Sequence, residues 1–123
     1  MTLHTGLTGE ATTTVIHENT AAAVGAGGVE VFGTPMMIAL MENAAWRAVA
    51  EQLDEGQVTV GTLVNVRHLA ATPLGQRVRA TAELIEIDRR RLVFQVEAYD
   101  EKQKIGDGLH ERFIVKLDSF LQK

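Results

Sequence analysis

The apolar and polar positions of this chain change period twice. Residues 10–17, Glu-Ala-Thr-Thr-Thr-Val-Ile-His, are largely β-branched and predict a first strand. Residues 20–33 are rich in alanine and glycine, with Gly25, Gly27 and Gly28 clustered. That composition packs poorly and bends easily, so it predicts a mobile loop or lid. From Met36 to Leu53 the residues are strong helix formers, and apolar side chains recur at Met37, Leu40, Met41, Ala44, Ala45 and Ala48. Thr34 is placed to be the N-cap and Pro35 the first helical residue, where a missing N–H costs nothing. Gly56 supplies the stop. The first two turns are apolar all round, which predicts burial on most sides.

After Gly56 the period shortens to two. Val58, Val60, Thr62, Val64, Val66 and His68 alternate with Thr59, Gly61, Leu63, Asn65 and Arg67. This predicts a long strand with one apolar face. Thr72-Pro73-Leu74-Gly75 ends it with turn residues. Further strands are predicted over 76–87, 91–99 and 104–117, joined by turns at 88–90 and 100–103. One helix must bury its face against these strands, giving a two-layer α+β domain. A curved five-stranded antiparallel sheet wrapped round one long central helix is the hot-dog fold.

A chain of 123 residues suits a single domain over 1–123, large enough to bury roughly two-thirds of its unfolded surface. It contains no cysteine, which excludes thiol nucleophiles, zinc–thiolate sites and disulfide frameworks. A formal net charge of -4 gives no electrostatic reason to expect nucleic acid. Met1–Glu10 has no basic start and no apolar core, and the run Met36–Met41 is too short to span a bilayer. A soluble cytoplasmic protein with no membrane partner is expected.

Four places could carry chemistry. Glu42 sits two turns into the apolar helix, where an ionised carboxylate is expensive unless paired. It reads either as a general base or nucleophile, or as an exposed helix residue beside Asn43, pairing with Arg47. His68 continues the apolar face of Val64 and Val66. It is either a packed histidine or an imidazole brought near Glu42 to orient it, polarise a carbonyl or protonate a leaving thiolate. Thr34 caps the helix, or its hydroxyl joins the free N–H groups there in favouring a developing oxyanion. Thr34 and Glu42 are eight positions apart, about 12 Å along a straight helix. They share a site only if the cap folds back or two chains contribute, and a site at or near a subunit interface is favoured. On the last strand, Gly108, His110 and Arg112 share a face with Ile114, while Glu111 lies opposite with Phe113; a structural charge network is expected there. Arg89, Arg90 and Arg91 form a basic hairpin tip, either a solvated turn or an attraction for CoA phosphates. No HExxH, GxSxG or phosphate-binding loop is present, and the four histidines are scattered, so no metal site is expected.

The segment from Val31 to Glu42, Val-Phe-Gly-Thr-Pro-Met-Met-Ile-Ala-Leu-Met-Glu, resembles the helix motif of the fluoroacetyl-CoA thioesterase-like family of hot-dog proteins. Gly61 to Pro73 and Gly106 to Arg112 resemble its second and third motifs, in order and with matching gaps, and the similarity runs from about residue 10 to residue 120. The resemblance implies a dimeric, cofactor-free hydrolase of acyl-CoA with catalytic Thr34, Glu42 and His68. It also implies a substrate-binding set of Gly61, whose N–H approaches the thioester carbonyl, with Pro35 and Arg112. Fluoroacetyl-selective members carry gating phenylalanines in the lid. Here that stretch is Ala23-Val24-Gly25-Ala26-Gly27-Gly28, which implies a different or broader acyl group. Rival readings are a non-catalytic acyl-CoA binder or sensor and a hot-dog enoyl-CoA hydratase.

Overall fold

The computed structural model describes residues 2–122; Met1 and Lys123, the ends of the expected 1–123 domain, lie outside them. The elements run β1 (Thr8–Thr14), α1 (Thr34–Val49), β2 (Gln57–His68), β3 (Arg77–Asp88), β4 (Arg91–Tyr99), β5 (Lys104–Lys116) and a short α2 (Leu117–Leu121). The five strands form one antiparallel sheet in the order β1-β3-β4-β5-β2. The sheet curls round α1, which packs chiefly on β1 and β3. Gly9 on β1 makes that approach possible, because a Cβ there would collide with the Ala44 carbonyl of α1. The core is the inward row of the helix, Met37, Met41, Ala44, Ala45 and Val49, set against Leu84, Phe94 and Val96. This is the expected hot-dog arrangement.

Three local expectations are corrected. β1 starts earlier, at Thr8, and ends at Thr14, where Val15 and Asn19 turn the chain. The alanine-glycine segment is a loop, as expected, and it contains turns in which Ala21 N–H donates to the Val31 carbonyl and Ala22 N–H to that of Val29. The N-cap of α1 is Gly33, so Thr34 is the first helical residue and its hydroxyl is released from capping. The start of the helix is buried on one face only: Thr34, Pro35 and Ala39 are exposed, because the sheet covers one side of α1 and no described residue covers the other.

The predicted alternation of β2 also breaks. A β-bulge between Gly61 and Leu63 shifts the register against β5. Such an extra residue re-phases every side chain beyond it. Thr59 is buried while Val58 and Val60 are only half-buried, and His68 follows Val64 and Val66 after the bulge. β2 is also the last strand of the sheet, so its outer edge is unpaired and residues 61–65 are all exposed.

Candidate active site

The first turn of α1 and the last residue of β2 meet. Thr34 Oγ1 lies 2.7 Å from His68 Nδ1. Both line a cavity of about 340 Å³ with Ala21, Val31, Phe32 and Leu69. Burial pushes the pKa of His68 below its ordinary value, with a backbone contact to Ala70 opposing it, so the ring is neutral at pH 7. Its Nε2 is buried without a well-formed hydrogen bond. A neutral imidazole beside a hydroxyl that no longer caps a helix is a base within reach of an O–H. Pro35, beside Thr34, is exposed and fixes the start of the helix.

Two turns on, Glu42 faces β2, and here the expectation of a deeply buried carboxylate is corrected. Its side chain is 40% exposed, because it points toward the open edge of the sheet. It accepts no hydrogen bond among the described residues. Its neighbour is Gly61: a Cβ on that residue would lie 2.5 Å from Glu42 Oε2. Within one chain, His68 does not reach Glu42. The imidazole beside Glu42 is His110 on β5, with Nε2 3.9 Å from Oε2, beyond hydrogen-bond reach. His68 pairs with Thr34 instead, about 12 Å away by the helical rise over eight residues.

His110 and Arg112 are both buried, on the inward face of β5 with Ile114. His110 Nδ1 lies 2.8 Å from the Leu63 carbonyl, which only accepts, so Nδ1 carries the proton. Burial lowers the His110 pKa, the Leu63 bond raises it and the Arg112 charge lowers it further, leaving a neutral ring. Its Nε2 is therefore an acceptor, and Arg112 Nη1 donates to it at 3.2 Å. Arg112 also donates from Nε to Thr59 Oγ1 at 2.9 Å and from Nη2 to the Thr59 carbonyl at 3.0 Å. On the outer face Arg91 binds Glu111 at 2.9 Å and Glu86 at 3.1 Å. This is a charge network of the kind expected around β5, and it commits Arg91; Arg89 is exposed at the hairpin tip beside Asp88. Thr59, on the apolar-polar strand β2, is the residue that the pattern gave no reason to single out, because only the bulge turns it inward.

No group of His, Cys, Asp and Glu that could hold a metal occurs among the described residues. No helix is long and apolar enough to cross a membrane.

Comparison with known proteins bears on this geometry. The sequence model of the family described as fluoroacetyl-CoA-specific thioesterase matches residues 15–118. The fluoroacetyl-CoA thioesterase of Streptantibioticus cattleyicolor is 46% identical over 94 residues, 76% of this chain and 68% of that protein. The 1,4-dihydroxy-2-naphthoyl-CoA hydrolase of Listeria monocytogenes serotype 1/2a (strain 10403S) is 32% identical over 68 residues, 55% of this chain and 54% of that one. A solved structure of the fluoroacetyl-CoA thioesterase FlK superposes with a TM-score of 0.92 at 36% identity, covering 99% of this chain and 95% of that one.

Proposed function

The chain belongs to the fluoroacetyl-CoA-specific thioesterase family of hot-dog proteins and hydrolyses acyl-CoA thioesters; from that premise we propose that each hydrolytic site joins Thr34 and His68 of one protomer to Glu42 and Gly61 of the partner subunit in a homodimer. One observation carries this reading. A single chain holds two incomplete halves, Thr34 with His68 and Glu42 with Gly61, both beside the unpaired β2 edge.

A long, exposed edge strand is a template for pairing with another strand. If β2 pairs antiparallel with its own copy about a two-fold axis, residues on either side of the axis pair at a constant sum of their numbers, up to the bulge at Thr62, beyond which the sum changes by one. An axis at Asn65, within the exposed stretch, sets that residue opposite its own copy and His68 opposite Gly61 of the partner subunit, because the bulge leaves Thr62 as an extra residue in the count. The half-exposed carboxylate of Glu42 then becomes covered, and the apolar outer side of α1 acquires a neighbour. Two such sites form per dimer.

Within each site the thioester carbonyl lies near the N-terminus of α1, where the helix dipole and the Gly61 amide stabilise the oxyanion, while the Thr34 hydroxyl donates to His68. Glu42 activates a water, or attacks the carbonyl itself to give an anhydride that water opens. The C–S bond breaks and the CoA thiolate takes up the proton that the attacking water gives up, while neutral His68, which carries its hydrogen on Nε2 because Nδ1 accepts from Thr34, donates a hydrogen bond to it. Pro35 holds the entrance of the helix against the acyl chain, and Arg112 lies behind Glu42 on the substrate side. The lid supplies no plug. A Cβ added at Gly25, Gly27 or Gly28 meets nothing within 4 Å, and none of the three lines the cavity, so this stretch contributes no apolar side chain to it. This supports a broader acyl range than fluoroacetyl. Residues 1–123 acting as one domain, in the cytoplasm, complete the reading. A non-hydrolysing binder and an enoyl-CoA hydratase are not favoured by relatives that are thioester hydrolases.

Subunit complementation tests it. Thr34→Ala and Glu42→Gln homodimers are both expected to lose hydrolysis. After mixing and refolding, each heterodimer regains one intact site, so thiol release returns to about a quarter of the native rate, since half of random dimers are heterodimers and half their sites are whole. Sites built from one chain alone recover nothing, and that outcome would overturn the shared-site reading.

A further inference from the structure

The hydrolytic scheme leaves one buried titratable side chain without a task. His110 is 1% exposed, sits on the inward face of β5, and is spent on two hydrogen bonds that fix its tautomer. Burying an imidazole costs free energy, and a purely apolar side chain would fill the same space against Phe94 more cheaply. The structural return is local and directional. The proton on Nδ1 is committed to the Leu63 carbonyl, so Nε2 has a lone pair to offer and nowhere to send it except Arg112.

Arg112 has five N–H donors. Three are taken: Nε by Thr59 Oγ1, one on Nη2 by the Thr59 carbonyl and one on Nη1 by His110. The guanidinium is thus clamped at all three nitrogens, and each Nη keeps one spare N–H. Nη1 lies on the Gly61 side: the position a Gly61 Cβ would occupy is 3.5 Å from Nη1, 3.2 Å from the His110 ring and 2.5 Å from Glu42 Oε2. One empty side-chain position therefore separates an immobilised cation from the carboxylate. Without the His110 bond, Nη1 loses its partner and the planar guanidinium can tilt about the Nε–Nη2 line that Thr59 holds.

We propose that His110 is a positioning residue for hydrolysis: by accepting from Nη1 it aims the Arg112 cation through the gap above Gly61, and so fixes the Glu42 carboxylate that the reaction uses. This rests on the reading of Glu42 as a catalytic group, and its test keeps the two apart. His110 itself touches no reacting atom. Its contribution is orientation, which appears in turnover rather than in substrate affinity.

The two amide replacements separate the ring nitrogens. His110→Asn presents an N–H near Nδ1 and keeps the Leu63 bond but offers nothing to Arg112. His110→Gln reaches the Nε2 position with a carbonyl that accepts from Nη1. The expected result is a kcat about tenfold lower in H110N with KM within about twofold, and recovery to within about threefold of native in H110Q, on the scale by which small misplacements slow reactions. Nitrogen-15 spectra of the Arg112 guanidinium supply a readout independent of turnover: distinct Nη signals in the native protein and H110Q, averaged ones in H110N. Thr59→Val, which removes one of the other anchors, is expected to lower kcat in the same way and serves if H110N fails to fold. Native kcat in H110N with unchanged Arg112 signals, or equal damage in H110N and H110Q with matched melting temperatures, would overturn the proposal. A fully active Glu42→Gln protein would instead remove the Glu42 reading, while leaving the Arg112 signals as predicted.

Discussion

The hydroxyl of Thr34 and Nδ1 of His68 stand 2.7 Å apart, although 34 residues of chain separate them. The contact exists because Gly33 takes over the cap, freeing the hydroxyl, and because His68 lies in phase with Val64 and Val66 on the inward face of β2. Thr34→Ala is expected to lower kcat/KM by about 10²–10⁴, the usual worth of a positioned proton-transfer group, whereas Thr34→Ser keeps the hydroxyl and most of the rate. Thiol release measured over a panel of acyl-CoA substrates checks both. Equal rates for the alanine and serine variants would detach the hydroxyl from catalysis.

The same pair gives the reaction an acid limit. His68 has to be neutral to accept from Thr34, and burial holds its pKa below 6.5. The rate is expected to be level from neutral pH down to about 6.5 and to fall only below it, as the ring protonates. A profile of kcat/KM from pH 4.5 to 8 shows the limb directly. A limb rising through pH 7 or above contradicts a buried, neutral base.

Gly61 is where side-chain absence matters most. Gly61→Ala puts a Cβ 2.5 Å from Glu42 Oε2, a distance the carboxylate cannot tolerate. Glu42 is half exposed and can swing away, so the fold should survive with little change in melting temperature. The expected cost is in turnover, about 10- to 100-fold, because the reacting group is displaced by an ångström or more. Native turnover in G61A would mean that the carboxylate position seen here is not the working one.

Much of this architecture was legible in the residues. The change from helical to strand period after Gly56 placed α1 and β2, and the turn residues at 72–75 and 100–103 placed the hairpins. The inward set Gly108, His110, Arg112 and Ile114 followed from simple alternation, because β5 runs through that stretch without a bulge. Thr59 and the true neighbour of Glu42 were not legible. Alternation assumes one phase per strand, and the extra residue at Thr62 reverses it where the site is built. The burial of Glu42 was overestimated for a related reason: an apolar helical neighbourhood fixes the face of a side chain but says nothing of whether that face meets a sheet or its open edge. A contact between residues 42 and 110 is tertiary, and no local pattern encodes it.

Both depressed histidines make the fold acid-sensitive. His68 and His110 are held below 6.5 by burial, while in the unfolded chain they titrate near 6.5. Below that value the unfolded state binds more protons, so stability is full above pH 6.5 and is lost progressively as the pH falls toward the folded-state values. Thermal melts between pH 8 and 5 are expected to be flat and then to decline. His110→Gln removes one of the two groups and should flatten the decline. An unchanged slope in that variant would assign the acid sensitivity elsewhere.

The exposed middle of β2 ties assembly to activity. Leu63 and Val64 are 42% and 41% exposed in the single chain, on an edge whose backbone groups have no partner. Across a two-fold axis a residue near the centre approaches its own copy, so a charge placed there is set against an identical charge. The double variant Leu63→Glu with Val64→Glu adds carboxylates to a chain that already carries a net charge of -4. Its own hydrogen bonds to β5 use backbone atoms, including the Leu63 carbonyl that binds His110, so the fold is expected to persist. Light scattering should then report a monomer, and hydrolysis should fall by about 10² or more, because Thr34–His68 and Glu42–Gly61 no longer meet. A folded monomer that hydrolyses acyl-CoA at the native rate would show that one chain is sufficient, and would locate the working site entirely at one half.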